Sequence, residues 1–441
     1  MLTAFGRAFR TPDLRNKLLF TLGILALFRL GSTIPAPGVD YQNVHTCLAA
    51  NSNNSVLALV NLFSGGALLQ LTVFALGIMP YITSSIIIQL LVVVIPRLER
   101  LKEQGQSGQT KLTQYTRYLT VSLAILQATG IVALARSGRL LPCTNAQGNQ
   151  ISLLYSTSVF RIVTLVITMT AGTAVIMWLG ELITDRGIGN GMSLLIFTSI
   201  AARFPSQGSQ ILQSRGPTTF VAVLLAGVLI IVGIVFMEQG QRRIPVQYAK
   251  RMIGRRMYGG TSTYIPLKVN QAGVIPVIFS SSLLYLPQLL GQVWTSNSGF
   301  ENFVTRYFNP NSASWVYVLT YALLTVFFTY FYVAITFNPV EVSDNMRKYG
   351  GFIPGIRPGR PTAEYLEYVL SRITLPGSLY LTAVAVLPIL ALHYLPGSAA
   401  GANQAFPFGG TSVLILVGVG LDTSKQIESQ LMLRNYEGFL R

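Results

Sequence analysis

Residues 61–95 read NLFSGGALLQLTVFALGIMPYITSSIIIQLLVVVI. From Leu71 the run is apolar almost without interruption to Ile95. A helix needs about 20 such residues to cross a bilayer core, so the stretch predicts a membrane span. Its beginning contradicts that simple picture. Gly65 and Gly66 stand side by side at the point of entry, and each glycine is about 1 kcal/mol worse than alanine in a helix. The span is therefore expected to start near Leu71, with a turn or weak helix ahead of it.

Working outward, nine more apolar stretches of membrane scale follow from the same reading. The ten expected spans are 18–34, 71–95, 118–135, 159–183, 188–203, 218–237, 270–293, 314–337, 373–395 and 406–421. The fifth and tenth are short and call for shielding by neighbours or a thinned bilayer. The composition agrees: 51% of the 441 residues are hydrophobic and 11% charged, outside the range of an ordinary soluble domain. The basic N-terminus runs into the first span without a small-residue cleavage site, so that span is read as retained.

The net charge of +17 could suggest a nucleic-acid partner in a soluble protein. Here most of the 32 basic residues fall before span one, in alternate loops and after span ten. That asymmetry puts both termini in the cytoplasm. Five spans precede the polar stretch 205–217 and five follow it, so the two halves have opposite orientation and an inverted repeat is topologically allowed.

Carboxylates are missing from the middle of the spans, while Arg29 and Arg161 lie inside or at the edge of theirs. Glu181, Asp185, Glu238 and Asp422 sit at cytoplasmic span ends, which argues against a transporter that moves a small solute or proton through midplane carboxylates. What lies mid-span is isoleucine. Ile82, Ile196, Ile278 and Ile415 each fall within about one helical turn of their span's midpoint, and Ile78 precedes Ile82 by four positions, on one helix face. By spacing alone such residues face lipid or a partner helix. Gln89, Gln127 and Asn270 lie toward the cytoplasmic side of spans two, three and seven. Buried amides seek one another in lipid, or each satisfies its own helix.

Two long cytoplasmic loops, 238–269 and 338–372, carry more structure than a connector needs. The first is basic and strand-like toward its end. In the second, Pro354, Pro358 and Pro361 surround Arg357. Stiff prolines and permissive glycines make a shaped turn, and an arginine braced on such a loop reads as a docking residue. The chain has two cysteines, Cys47 and Cys143, and two histidines, His45 and His393. No metal site, cofactor motif or nucleophile and base pair is expected from this material. Both cysteines fall on the external side, where a disulfide is permitted, and they are read either as a pair or as two free thiols.

NLFSGGAL, ALGIMPYITSSIIIQLL, QYTRYLT, WLGELITDRGIGNGMSL, GQRRIPVQYAKR, PLKVNQAGVIPVIF, FNPVEVSDNMRKYGGFIPGIRPG and FGGTSVLI follow one another along the chain. Together they resemble the SecY family of protein-translocation channels, whose eukaryotic homologue is the Sec translocon alpha subunit. The resemblance extends over nearly the whole chain; the external stretches 43–54 and 140–156 fall outside it. It implies an all-α membrane protein of ten helices in two pseudo-symmetric inverted five-helix halves, here 1–205 and 217–441, joined by an external hinge at 206–216. It implies a passive protein-conducting channel in the cell membrane, not an enzyme. Ile78, Ile82, Ile196, Ile278 and Ile415 correspond to the family's pore ring. Phe63, Ser64, Gly65, Gly66, Ala67 and Leu68 correspond to a plug, a short helix near 61–70 outside that ring. Gln89, Gln127 and Asn270 correspond to a polar cluster of the lateral gate between spans two and three on one side and seven and eight on the other. Arg255, Arg256 and Arg357 correspond to positions that dock the ATPase SecA or a ribosome. The implied partners are SecE-like and SecG-like small membrane subunits, SecA, the ribosome, signal peptides with the secretory or membrane protein chains that carry them, and the lipid bilayer. A small-solute transporter and a membrane-embedded insertase or enzyme are the rival readings, each lacking its chemistry here.

Overall fold

The protein was analysed as a computed structural model, which describes residues 9, 11–50, 64–138, 140, 151–156, 158–248, 251–253, 256–258, 262–293, 298–308, 314–394 and 410–437. A helix answers each of the ten expected spans. They are α1 Pro12–Gly31, α3 Met79–Val94, α5 Gln106–Arg136, α6 Val159–Arg186, α7 Gly191–Ala201, α8 Phe204–Gln239, α9 Ile275–Val293, α11 Trp315–Thr336, α13 Arg360–Tyr394 and α14 Gly410–Glu437. Between them lie the shorter α2 Tyr41–Ala50, α4 Pro96–Glu103, α10 Ser298–Tyr307 and α12 Pro339–Lys348. Five of the described helical stretches are long and apolar enough to cross a membrane by themselves, and α3 with α4, bent by 100° at their junction, forms a sixth candidate.

Several boundaries differ from expectation; α5 and α13, for example, begin at Gln106 and Arg360 instead of 118 and 373. The second span's helix begins at Met79, not Leu71. Pro80 sits in its first turn, where a missing N–H is harmless; further inside, the ring would clash with the preceding turn. The polar hinge 206–216 is largely helical, because α8 starts at Phe204 and runs through it. The helix breaks at Gly216, with φ 81° and ψ 171°, next to Pro217. The tenth helix is not short: it continues past residue 421 to Glu437.

Non-helical backbone at residues 64–78 has to satisfy its own polar groups where water is scarce. It does so by pairing with the chain that leaves α1. Ala36 N donates to Leu71 O and Val73 N to Ile34 O, each at 3.0 Å, and Pro35 faces Thr72 in an antiparallel bridge. Gly172 of α6 lets this segment come close, since a Cβ there would collide with the Val73 carbonyl.

Outside it, α2 and residues 151–156 form a small cap. Asp40 caps the start of α2 through the backbone N–H groups of Gln42 and Asn43, and Asn43 Nδ2 donates to Ser152 O at 3.1 Å. Val44, Cys47, Leu68, Leu71 and Leu153 share one buried apolar cluster. Cys47 is disulfide-bonded; the chain's other cysteine, Cys143, lies outside the described residues.

The two long loops, 238–269 and 338–372, fold together. The strand-like end of the first loop is β4 Ser262–Lys268, paired antiparallel with β1 Gln241–Tyr248. β1 pairs on its other side with β5 Gly351–Phe352 of the second loop. A hairpin of β2 Arg251–Ile253 and β3 Arg256–Tyr258 projects from between β1 and β4. Ile244, Val246, Leu267, Met346, Ile353, Leu366 and Val369 bury one core under the sheet, so the two loops form a single body on the ends of α8, α11 and α13.

Candidate functional site

The five isoleucines meet. Ile78 is the N-cap of α3 and Ile82 lies one turn inside it; Ile196 comes from α7, Ile278 from α9 and Ile415 from α14. All are buried in one contiguous apolar cluster, from 1% exposed at Ile415 to 9% at Ile82. Ile82 N donates to Ile78 O, so the two keep helical spacing although Ile78 precedes the helix. Phe28, Phe74, Phe279 and Phe328 complete the cluster, with Phe279 and Phe328 edge to face at 5.7 Å between ring centres. The position of α7 depends on glycine: a Cβ on Gly191 would strike the Gly180 carbonyl of α6. That close approach brings the short fifth helix, and Ile196 with it, into the middle of the bundle.

Residues 64–71 form successive turns, and the start of the short helix expected near 61–70 lies outside the described residues. Gly65 and Gly66 both have left-handed backbones, with φ 67° and 98°, which L side chains adopt only with strain. This is the physical answer to the paired glycines. Ser64 holds the loop together: its Oγ accepts from Leu68 N at 3.1 Å and its carbonyl from Ala67 N at 3.3 Å. A Cβ on Gly65 would lie 3.3 Å from Ser199 Cα, one turn along α7 from Ile196. The segment therefore rests against a helix that supplies the isoleucine cluster. Phe63 lies outside the described residues.

The amide residues do not form a hydrogen-bonded cluster. Asn270 is 2% exposed, and its Nδ2 donates to the Glu238 carboxylate at the end of α8 and to Gly273 O. Gln127 is half-buried and Gln89 exposed, and neither bonds Asn270. Their helices do meet: α9 packs against both α3 and α5. Sequence reading placed Glu238 only at a span end; the signal it lacked was that α8 and the 269–274 turn converge. Leucine at 270 is expected to strand a largely buried carboxylate and destabilise the protein by about 2 kcal/mol, with melting in detergent lowered by a few degrees. Adding Glu238→Gln should recover part of the loss, because the stranded charge disappears. Additive effects of the two substitutions would mean that the bond contributes nothing.

Lys102 of α4 was not foreseen either. Its Nζ donates at 3.4 Å to Ile335 O, an otherwise open carbonyl in the last turn of α11. This bond joins the first half of the chain to the second.

Of the docking arginines, Arg255 lies outside the described residues and Arg256 opens β3. Arg357 is exposed on a braced turn. Thr362 Oγ1 donates to the Arg357 carbonyl at 2.8 Å, and Ser343 Oγ, from α12, donates to Gly359 O at 2.7 Å. Gly355 and Gly359 have φ 83° and 107°. The Arg357 guanidinium has no ion-pair partner among the described residues.

This combination of a buried isoleucine-rich cluster, a looped segment seated against it and a folded body of two loops can be compared with known proteins. The SecY family model matches residues 72–424. The chain belongs to the SecY family. It is 62% identical over 450 residues to the protein translocase subunit SecY of Mycobacterium bovis and 64% identical over 449 residues to that of Streptomyces coelicolor, in both cases over 100% of each chain. Among solved structures the fold resembles a protein-conducting channel, with a TM-score of 0.62 at 18% identity, covering 94% of this chain and 91% of that one. It also resembles a SecY structure described for a plug domain that stabilises the closed state and maintains a membrane seal, with a TM-score of 0.64 at the same identity and coverage. For canine Sec61 in a ribosome–channel complex the TM-score is 0.59, again at 18% identity. The SecY fold thus accounts for the ten helices and their arrangement in a multi-pass membrane protein.

Proposed function

We propose that this chain is the pore-forming subunit of a Sec-type translocase. It is a passive channel that passes secretory proteins across the cell membrane and releases membrane proteins sideways into the lipid. The observation that carries this reading is the convergence of Ile78, Ile82, Ile196, Ile278 and Ile415 in one buried cluster drawn from both halves of the chain. Branched apolar side chains cannot replace an ion's hydration shell, yet they can yield around a peptide. The waist is the pore ring, and Ser64–Leu68 is the plug that rests on it.

The two halves, 1–205 and 217–441, open about the external segment 206–216, where the break at Gly216 supplies a pivot. The gate lies between α3 with α5 and α9 with α11. Gln89, Gln127 and Asn270 line its cytoplasmic half, and Lys102 on Ile335 fastens its cytoplasmic end. Both termini are cytoplasmic. Arg255, Arg256 and Arg357 receive SecA or a ribosome, Arg256 from the hairpin and Arg357 from the braced turn of the folded loop body. SecE-like and SecG-like subunits cover the outward faces of the helices, and signal peptides enter at the gate. No catalytic role is assigned to any residue.

A stalled secretory chain carrying its signal peptide tests the reading. A photo-crosslinking residue at position 82 or 278 should attach to the stalled chain, while one at lipid-facing Leu229, 74% exposed on α8, should not. Equal capture at all three positions would overturn it.

A further inference from the structure

Arg29 is a cation near the end of a membrane helix, half-buried, with no carboxylate partner among the described residues. An ionisable group at such a place calls for a named partner. Its Nη1 donates to Gly65 O at 3.0 Å and to Ser32 Oγ at 3.4 Å. Ser32 Oγ in turn donates to Arg29 O at 2.7 Å, which steadies the guanidinium from its own helix. We propose that Arg29 is the positioning residue that latches the resting plug, through a charge-assisted hydrogen bond to the backbone carbonyl of Gly65. The proposal rests on the reading of Ser64–Leu68 as a plug.

Three observations support a latch rather than a chance contact. Gly65 is gripped from two sides: a Cβ there would lie 3.3 Å from Arg29 Nη1 and 3.3 Å from Ser199 Cα. Its left-handed backbone is part of the turn that aims the carbonyl at Arg29. The bonds of Ser64 to Ala67 and Leu68 make the loop a compact unit, so holding one carbonyl holds the whole segment. Arg29 also follows Phe28, whose ring stacks on Phe74 at 6.0 Å within the isoleucine cluster. The latch therefore stands at the rim of the waist. Because it grips backbone, it fixes where the plug sits and leaves the plug's side chains free to vary.

The test compares Arg29→Met, Arg29→Lys, deletion of residues 64–68, and the deletion combined with Arg29→Met, each as the full chain in its translocase complex. Resting conductance is read in planar bilayers. Plug position is read from labelling of Ala67→Cys by an impermeant maleimide, in a background with Cys47 and Cys143 replaced by serine. Ala67 is 1% exposed, so labelling reports displacement. Arg29→Met should speed labelling about ten-fold and raise resting conductance. Arg29→Lys should stay nearer the parent, and Arg29→Met should add nothing to the deletion. A deletion that leaks while Arg29→Met labels and conducts like the parent would overturn the latch and leave the plug standing. Lysine labelling as fast as methionine would also overturn it, by pointing to packing instead of charge. A deletion that does not leak would overturn the plug reading and the latch with it.

Discussion

Replacing Ile82, Ile196 and Ile278 together with serine is expected to turn a tight resting membrane into a conducting one. On the proposed reading of the cluster as a pore ring, an ion in the parent must shed water among isoleucine and phenylalanine side chains that offer it nothing in return. Three hydroxyls at these positions give it ligands and allow the ring to wet. Lowering the barrier by about 3 kcal/mol raises passage by roughly 100-fold. Ile78 and Ile415 are better left alone, because they are the most deeply buried of the five and truncating such side chains costs about 2–5 kcal/mol each. Valine at the same three positions should stay tight, since the neck remains apolar. Single-channel recording in planar bilayers decides it. Equally low conductance in parent and serine variant would mean that these isoleucines are ordinary packing.

Arg357→Glu is expected to abolish most ATPase-driven export while leaving the channel folded and inserted. The braced turn presents a cation with no ion-pair partner among the described residues, suited to an acidic or phosphate group on a partner. Charge reversal replaces attraction with repulsion; a swing of about 2–3 kcal/mol lowers partner affinity roughly 30- to 100-fold. The side chain is exposed and buries no core surface, so melting in detergent should stay within about 1 °C of the parent. Arg357→Lys should retain part of the activity. Measured export of a precursor at the parent rate, at equal channel levels, would remove Arg357 from the docking surface.

Much of this architecture is legible in the chain because lipid imposes a simple rule: about 20 apolar residues make a span, and basic loops stay inside. What hydropathy cannot see is backbone conformation. Leu71–Ile78 is as apolar as the helix that follows, yet Pro80 and the pairing with residues 34–36 keep it out of that helix. The isoleucine cluster is equally invisible to spacing, since isoleucine serves lipid-facing and buried faces alike; the resemblance to a family, not periodicity, singled those residues out. Asn270 was matched to Gln89 and Gln127 because amides pair, but a carboxylate on a neighbouring helix end is a stronger acceptor and lay closer. Arg29 falls within the first expected span, but its partner is a main-chain carbonyl 36 positions away, which leaves no trace in composition.

The short antiparallel pairing between residues 34–36 and 71–73 has a mechanical consequence. On the proposed reading of Ser64–Leu68 as a plug, a substrate that pushes it outward loads the chain at Gln70, and the pull passes into residues 71–73 along the strand direction. The two hydrogen bonds of that ladder run across the strands, so a pull along the chain strains them together in shear instead of peeling them one by one. The plug is then a door on a strap: it swings out, the strap holds, and α3 stays in place behind it. Once the substrate has passed, the strap keeps the door within a few residues' reach of its seat. Closing again becomes a short local search instead of a refolding event.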